Sequence, residues 1–187
     1  MGSLYLELDE GLREFIAEQR IFFVASAPLS ASGHVNLSPK GLDSLRILGP
    51  REVAYLDLTG SGIETVAHVR ENGRLTLMFC SFQGRPRILR LQGRGRVVEP
   101  GDAEWESLSS NFPTYKSSRS IVLLDIERIA DSCGYGVPLF EYAGERTQLV
   151  AWAERKGDAD IAEYKSKKNQ WSIDGLPGLK HLAEPSR

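Results

Sequence analysis

The sequence predicts a mainly β, α+β fold, an antiparallel β-barrel with peripheral helices. Six segments have the composition of β-strands, and most are joined by short turns. Helical periodicity is confined to the start, the middle and the end of the chain, so the regular alternation of strand and helix that builds a doubly wound sheet is missing. With 187 residues, a single domain (1–187) is expected, with a core over about 9–150 and a helical and irregular C-terminal extension over 147–187.

The composition disfavours several classes of protein. Hydrophobic residues make up 41% and charged residues 26%, which is an ordinary globular balance. The formal net charge of −2 argues against nucleic acid as a partner, because such binding normally rests on an excess of Lys and Arg. No apolar run approaches a membrane span, and the acidic N-terminus lacks a signal-peptide pattern. Only Cys80 and Cys133 occur, too few for a disulfide framework, so a cytoplasmic location is expected.

A first helix is predicted between Asp9 and about Arg20. Asp9 can cap its N-terminus, because a short carboxylate side chain can accept from the free N–H groups of the first turn. An apolar stripe at helical spacing follows, and it consists of Leu12, Phe15 and Ile16.

Three strands are predicted next. Residues 21–27 are a short apolar run rich in β-forming residues. After the turn residues 28–33, the strand pattern resumes at 34–38, so 21–38 is expected to form a β-hairpin. A connection that contains glycine and proline then leads to a third strand at 52–58.

A helix and a fourth strand follow the Gly-Ser-Gly turn at 60–62. The hydrophobic period changes there to that of a helix, which should end at the Asn-Gly pair 72–73. The residues on helical spacing are Ile63, Val66, Ala67 and Arg70. Residues 74–82 are again apolar and are predicted to form a buried strand.

The fifth predicted strand, 87–99, is two-faced. Its alternation places Leu89, Leu91 and Val97 on one side and the polar residues Arg90, Gln92, Arg94 and Arg96 on the other. Gly93 and Gly95 predict a bend or bulge of the kind that barrel strands need. The basic face of 85–96 is expected to meet solvent or another subunit.

The rest of the chain is more irregular. It contains, in order, a short helix over 102–110 capped by Asp102, a last strong strand over 120–130, a glycine-rich segment over 132–140, and a polar helical region from Thr147 that is interrupted at Gly157. The tail from Trp171 to Arg187 contains glycine and proline without a period.

The most informative candidate site is the segment YLDLTGSGIETVAHV at 55–69. A strand ends, a Gly-Ser-Gly turn follows, and a helix begins with free N–H groups and the positive end of its dipole, which suits a phosphate. Gly60 and Gly62 would let the backbone approach a ligand closely, and hydroxyl groups are offered by Thr59, Ser61 and Thr65. The alternative is a plain strand-to-helix turn in which Ser61 or a neighbour caps the helix.

Two further segments are candidate ligand contacts. NLSPKG at 36–41 offers backbone groups at a strand end and the cation of Lys40, and a solvated turn with a surface lysine is the alternative. In SCGYGVP at 132–138, two glycines flank Tyr135, which indicates a close backbone approach and a side chain that could stack on a ring. For Cys133 the alternative is a buried small hydrophobe.

The sequence offers no pattern for a metal site or for nucleophilic catalysis. His34, His68 and His181 are far apart, and none stands at metal-ligand spacing with a Cys or a carboxylate. No nucleophile elbow is present. Neither a metal nor a catalytic side chain is therefore predicted.

Taken together and in this order, the segments closely resemble the pyridoxamine 5'-phosphate oxidase-like FMN-binding family. The resemblance rests on SPKG, DLTGSGIET, RILRLQGRGRVVEP and SCGYGVP, which are similar to one branch of flavin proteins in that family. It covers about residues 9–150, with weaker similarity in the C-terminal IDGLPGL stretch. It implies a split β-barrel homodimer that holds FMN at the subunit interface.

The resemblance also implies which residues contact FMN. The residues that match the family's phosphate-binding and ribityl-binding positions are Asn36, Ser38, Lys40, Thr59, Ser61, Gly62 and Thr65. Arg87 and Ile88 fall where the family's next strand reaches the isoalloxazine ring. Cys133 and Tyr135 lie in the segment that would cap this ring, with the partner subunit as one possible source.

The chain departs from the family's oxidases at two places. Their Ser-Arg-Lys run at the helix start is replaced here by Ile63-Glu64-Thr65, and their C-terminal Trp and Arg-Leu signature is not evident. These departures argue against vitamin B6 oxidation, and Lys40 is expected to supply much of the missing positive charge. The resemblance implies an FMN-dependent oxidoreductase that acts on an unidentified small molecule. The alternatives are a non-catalytic flavin carrier or sensor, and a split-barrel protein that uses deazaflavin or haem.

Overall fold

Eight strands form one antiparallel sheet in the computed structural model, which describes residues 2–183. In chain order the strands are β1 (Leu4–Tyr5), β2 (Phe22–Ser26), β3 (Asn36–Lys40), β4 (Leu45–Gly49), β5 (Glu52–Leu58), β6 (Arg74–Cys80), β7 (Ile88–Val98) and β8 (Ser118–Ser132). The helices are α1 (Glu10–Glu18), α2 (Glu64–Asn72), α3 (Trp105–Ser109), α4 (Gln148–Arg155), α5 (Asp158–Lys168) and α6 (Lys180–Ala183).

The sheet is open rather than closed. Its strand order is β3-β2-β6-β7-β8-β5-β4, with β1 paired to β8, so β3 and β4 are the two edges and within residues 2–183 they do not pair with each other. This antiparallel split barrel with peripheral helices confirms the predicted fold class. The gap between the edges is called the seam below, and it is where polar side chains from distant segments meet.

Helix α1 packs its predicted stripe onto the main core. The Asp9 carboxylate accepts from Leu12 N at 2.8 Å, which confirms the predicted cap. Leu12, Phe15 and Ile16 are buried against apolar side chains of the sheet, such as Leu77. Burial of this stripe, at about 1.5–3 kcal/mol per large side chain, fixes the helix on one face of the barrel.

The hairpin of β2 and β3 forms as predicted, but β3 begins two residues later than expected. It runs from Asn36 to Lys40 and includes Pro39, which pairs with Phe23. Proline lacks an N–H and is tolerated in edge strands, and β3 is an edge. The shift matters because it places the whole NLSPK sequence within the sheet rather than in a turn.

Two strands were not predicted. β4 lies in the connection before 52–58, and all five of its residues are half-buried, so it shows no alternation of buried and exposed positions. β1 has only two residues, and it is held by long-range contacts: Tyr5 pairs with Ile129, and its hydroxyl donates to Asp131 Oδ2 at 2.7 Å. Neither strand carries a local pattern that sequence analysis could detect.

The predicted irregularity of β7 is a bulge opposite Gly93. Gln92 pairs with Arg128 and Gly93 with Ile126, so the extra residue, Glu127, belongs to β8. A Cβ atom on Gly93 would lie 2.0 Å from the Asp125 carbonyl oxygen, which only glycine avoids. The glycine therefore lets the two long strands approach closely where they bend.

The start of α3 differs from the prediction, and the side-chain cap that was the alternative for α2 does not form. α3 begins at Trp105, because the Asp102 carboxylate accepts from Glu99 N at 2.9 Å and does not cap the helix. α2 ends as predicted at Gly73, whose φ of 72° is the left-handed conformation of a helix C-cap. Its N-cap is Ile63 rather than Ser61, and no side chain of the described residues caps it.

The C-terminal extension contains α4 and α5, with Gly157 between them as the N-cap of α5. Residues 169–179 then form what is called the C-terminal hairpin below, with Trp171 bridged to Pro177, before α6. The irregular tail predicted to 187 extends past the described part of the chain at 184–187. No helix among residues 2–183 is both long and apolar enough to cross a membrane.

Candidate functional site

A cleft of about 1400 Å³ opens along the seam, and it is called the seam cleft below. Strand β3 forms one wall, and the end of β5 with the turn into α2 forms the other. Further lining comes from Arg119, from Phe23, from residues 41, 42 and 44 after β3, and from three segments at the open end: the corner before β2 (18–21), the β6–β7 turn (81–83) and parts of 140–149. At this volume the cleft exceeds the usual 300–1,000 Å³ of a small-molecule site.

The β3 wall carries three of the predicted ligand residues on one face. Asn36, Ser38 and Lys40 alternate along the strand, so their side chains point to the same side and line the cleft. Ser38 Oγ donates to Asn36 Oδ1 at 3.0 Å, and Asn36 Nδ2 donates to Thr65 Oγ1 at 2.9 Å. The predicted residues of β3 and of α2 are thus joined in one network across the seam.

The turn into α2 provides the opposite wall. Thr59, Gly62 and Thr65 line the cleft, whereas Ser61 is exposed and stands apart from the lining. Thr59 Oγ1 already donates to the Ser117 carbonyl oxygen at 2.8 Å, so this hydroxyl anchors the turn. Because no described side chain caps α2, the N–H groups of its first turn remain available to an anion.

The buried carboxylate of Asp57 forms ion pairs with two cations, Lys40 and Arg119, in the wall of the cleft. Asp57 Oδ1 is 2.8 Å from Lys40 Nζ, and Asp57 Oδ2 accepts from Arg119 Nε at 2.7 Å. Burial alone would raise the pKa of Asp57, but Arg119 and Lys40 outweigh it and lower that pKa well below its ordinary value. The carboxyl is therefore ionised, and this triad leaves one net positive charge in the cleft wall.

Asp57 and Arg119 were not among the predicted site residues. Each is a charged residue beside an apolar strand run, which is the only local signal of a buried ion pair. Their contact depends on the register of β5 and β8, where Asp57 pairs with Ser120. The Arg119 guanidinium also donates from Nη1 to the Gly60 carbonyl oxygen at 3.3 Å, so it holds the glycine turn as well.

The open end of the seam cleft is aromatic. The rings of Phe82 and Phe140 lie 5.3 Å apart, and Phe140 N donates to the Phe82 carbonyl oxygen at 2.9 Å. The Arg20 guanidinium lies 5.4 Å from the centre of the Tyr142 ring, whose hydroxyl donates to Glu145 Oε1 at 2.7 Å. These residues were also missed, because nothing in the sequence brings residues 140–145 back to the barrel.

The remaining predicted residues lie outside the seam cleft of this chain. Arg87 Nη2 is 2.9 Å from Asp131 Oδ2 and donates to the Tyr5 hydroxyl at 2.9 Å, so its side chain is held beside the β1–β8 pair. Ile88 is half-buried in β7 beside Ser132.

In the glycine-rich segment after β8, Phe140 lines the cleft, whereas residues 132–138 do not. Cys133 is exposed, contrary to the alternative that it is a buried hydrophobe, and the Tyr135 side chain is 82% exposed. The predicted close approach at Gly134 is to the Arg87 backbone: a Cβ there would lie 2.8 Å from Arg87 N. Contact between these residues and a ligand in the cleft stays a prediction that requires a second subunit.

His68 ends the polar network beneath the cleft. Its Nδ1 lies 3.0 Å from Ser26 Oγ, which in turn accepts from Asn36 Nδ2 at 3.3 Å. Burial lowers the pKa of His68, and its Nε2 has no hydrogen-bond partner among the described residues. Across residues 2–183, no group of three or more His, Cys, Asp or Glu side chains is arranged to hold a metal ion.

Comparison with known proteins gives one family. The family model described as pyridoxamine 5'-phosphate oxidase matches residues 8–133. The Aspergillus flavus pyridoxamine 5'-phosphate oxidase family protein ustO is 40% identical over 196 residues, which cover 96% of this chain and 78% of that protein.

Solved structures agree on the fold. A variant of HupZ from Group A Streptococcus has a TM-score of 0.54 at 21% identity, over 67% of this chain and 99% of that chain. A Lactobacillus delbrueckii protein provisionally named a pyridoxamine 5'-phosphate oxidase has a TM-score of 0.50 at 21% identity, over 66% of this chain and 93% of that chain. At such identities the two structures bear on the fold alone.

Proposed function

Because the chain belongs to the pyridoxamine 5'-phosphate oxidase family, we propose that it binds FMN in the seam cleft and acts as a flavin-dependent oxidoreductase on a small molecule. The observation that carries the proposal is the meeting of the Lys40–Asp57–Arg119 triad with an uncapped helix N-terminus in one cleft. A phosphate ester carries about −1.5 to −2 charges at neutral pH. The triad offers one net positive charge and the start of α2 about half a charge more, and the Glu64 carboxylate in the first turn of α2 opposes them.

The donor set fits the rest of the cofactor. Asn36, Ser38 and Thr65 offer an amide and two hydroxyl groups along the β3 wall, as the polyhydroxyl ribityl chain requires. The planar ring system would suit the aromatic end, near Phe82 and Phe140, where stacking is favourable. The family's Ser-Arg-Lys clamp is replaced in this chain by cations from β3 and β8.

The chemistry of such a site is divided between cofactor and protein. Bound FMN supplies hydride acceptance, and the protein supplies binding, orientation and electrostatics. Asp57 keeps Lys40 and Arg119 in place at the cleft wall, and the hydrogen bonds of Asn36 fix the spacing of its two sides. Since the cofactor carries the redox chemistry, the proposal needs no acid–base pair among the side chains.

The proposal includes a homodimer with FMN at the interface. Large apolar side chains are exposed beside the seam, including Val35 at 75% and Leu37 at 61%. A second subunit that covered them would also be the source of the Tyr135 and Cys133 contacts, which one chain does not bring to the cleft.

The experiment is direct. Purified protein, or apo-protein mixed with FMN, should show bound-flavin absorption with quenched fluorescence at about one FMN per subunit. Stopped-flow reduction by NADH or NADPH then separates an oxidoreductase from a flavin carrier. No FMN binding at micromolar concentration, together with binding of deazaflavin or haem, would contradict the proposal.

A further inference from the structure

The C-terminal hairpin lies against the end of the seam cleft at which α2 begins. Its first residue, Asn169, is fully buried and donates from Nδ2 to the Gly60 carbonyl oxygen at 2.9 Å. Arg119 Nη1 donates to the same oxygen. The glycine turn is thus held by one side chain from β8 and one from the hairpin.

The tip of the hairpin joins the two walls of the cleft. Ile173 N donates to Glu64 Oε1 at 3.3 Å, at the start of α2. The next residue, Asp174, accepts from His34 N at 2.8 Å and lies 2.7 Å from His34 Nδ1, in the turn between β2 and β3. Because Ile173 and Asp174 are consecutive, a single dipeptide spans the seam at this end.

The base of the hairpin is fixed by packing. Leu179 is fully buried with Ile63 and Val66, and its N–H donates to the Asn169 carbonyl oxygen at 3.0 Å. Within the hairpin, Ser172 N donates to the Leu176 carbonyl oxygen at 2.9 Å. The hairpin is therefore a defined element, and it lies outside the segment that matches the family model.

The hairpin also contacts the carboxylate at the start of α2. Glu64 stands beside the N–H groups that suit a phosphate, where a negative charge would repel it. Its Oε1 accepts from Ile173 N, and its Oε2 lies over the glycine turn, 2.4 Å from where a Cβ atom on Gly62 would be. Beyond the glycine turn, this end of the cleft carries the Asp174 carboxylate, which is held by His34.

We propose that the C-terminal hairpin makes the cleft selective for the mononucleotide FMN over the dinucleotide FAD. The proposal rests on the proposed function. The two flavins share the ring, the ribityl chain and the first phosphate, and FAD continues from that phosphate into a second phosphate and an adenosine. Its path out of the cleft meets the bridged seam and the Asp174 carboxylate, which obstruct and repel a pyrophosphate, while a terminal phosphate ends before them.

Two variants test the selectivity without altering residues that line the cleft. Asp174→Ala removes both contacts with His34. A second variant replaces residues 172–176 with Gly-Gly, which leaves Trp171 and Pro177 joined by a two-residue turn. Glu163→Ala is the control, because Glu163 is exposed on α5 and pairs only with Lys167 among the described residues. Riboflavin, FMN and FAD are titrated into each protein by calorimetry, and circular dichroism checks the fold.

The wild type and the control should bind FMN at least about tenfold more tightly than FAD. In the shortened variant this ratio should fall by about tenfold or more, with riboflavin affinity little changed, and Asp174→Ala should shift it in the same direction. Equal binding of FMN and FAD by the wild type, or a ratio that both folded variants leave unchanged, would overturn the selectivity alone. Failure of the wild type to bind any of the three flavins would overturn the proposed function and the selectivity with it.

Discussion

Lys40 Nζ lies 2.8 Å from Asp57 Oδ1, and this contact joins edge strand β3 to the end of β5 across the open seam. Arg119 holds the other oxygen of the same carboxylate. Lys40 therefore has two roles that can be measured separately: it is a partner of a buried carboxylate, and in the proposed function it is a cation close to the phosphate of FMN.

Lys40→Ala should weaken FMN binding about tenfold to a hundredfold, because a charge-assisted contact is worth about 1.5–3 kcal/mol. Riboflavin lacks the phosphate, so its affinity should change little. Titration of both ligands into both proteins measures the difference, with Lys167→Ala, a surface lysine of α5, as control. Equal losses of affinity for FMN and riboflavin would show that Lys40 only shapes the cleft. No loss of affinity for either ligand would show that Lys40 does not contact the phosphate, and Arg119 would become the candidate cation.

Asp57→Ala should lower the free energy of unfolding of the apo-protein by about 3–5 kcal/mol. The substitution leaves the nearly buried Arg119 and the partly buried Lys40 without their shared counter-ion, which is the costly way to break a buried ion pair. Urea denaturation measures the change. Asp158→Ala is the matched control: its carboxylate is 93% exposed, and the loss of a surface ion pair costs about 0–1 kcal/mol. A loss below about 1 kcal/mol for Asp57→Ala would contradict the assignment.

The stability of the protein should fall in acid partly through Asp57. The pKa of Asp57 is lower in the folded protein than in the unfolded chain, where an Asp side chain has a pKa of about 3.9. The contribution of Asp57 to the free energy of unfolding is therefore fully present above that pH, and it is lost as the pH falls towards the folded pKa. The gap in unfolding free energy between the wild type and Asp57→Asn should therefore shrink between pH 5 and pH 3. A constant gap over that range would contradict the depressed pKa.

His68 should add a second pH dependence, nearer neutrality. Burial lowers its pKa in the folded protein, although Asp174, Glu64 and Glu71 act in the opposite direction. In the unfolded chain the pKa of His68 is about 6.5, so near and below this pH the unfolded chain binds more protons than the folded protein. The free energy of unfolding therefore decreases as the pH falls below that value. His68→Gln should show a flatter profile of unfolding free energy between pH 7 and pH 5, whatever its stability at pH 7. Parallel profiles would show that His68 does not titrate differently in the two states.

The proposed homodimer predicts a mass of twice 20.8 kDa by light scattering at micromolar concentration. Leu37→Glu should shift the equilibrium towards monomer, because it places a charge in the exposed apolar patch beside the seam. Leu37→Thr, which introduces an uncharged residue of high β-propensity in β3, is the milder control. A wild-type mass of 20.8 kDa with flavin still bound would reject a site shared between subunits.

Much of the fold could be predicted because its elements have local patterns. α1 has its cap and stripe at Asp9 and Leu12, and β5, β6 and β8 each contain an apolar run. β4 was not predicted, because its residues are evenly half-buried and show no alternation. Asp102 does not cap α3 as predicted, because its carboxylate accepts a hydrogen bond from Glu99 N. The first failure reflects the lack of a local pattern, and the second reflects a competing hydrogen bond three residues away.

The candidate site was less predictable than the fold. Asn36, Ser38, Lys40 and Thr65 were found through their segments, and the structure brings them to one cleft. Asp57 and Arg119 are 62 residues apart, and only the β5–β8 register makes them neighbours. The single-domain organisation and the ligand roles of all these residues remain predictions.

The bond between Asn169 and Gly60 spans 109 residues, and this separation sets an order of events during synthesis of the chain. At about 5–20 residues per second, Asn169 is made roughly 5–20 s after Gly60. Strands β6, β7 and β8 are synthesised within that interval, so the sheet can pair before Asn169 exists, but the glycine turn then lacks its last support. We therefore expect that a nascent chain that has folded its sheet acquires a well-formed glycine turn at 60–62 only when its C-terminal segment has left the ribosome.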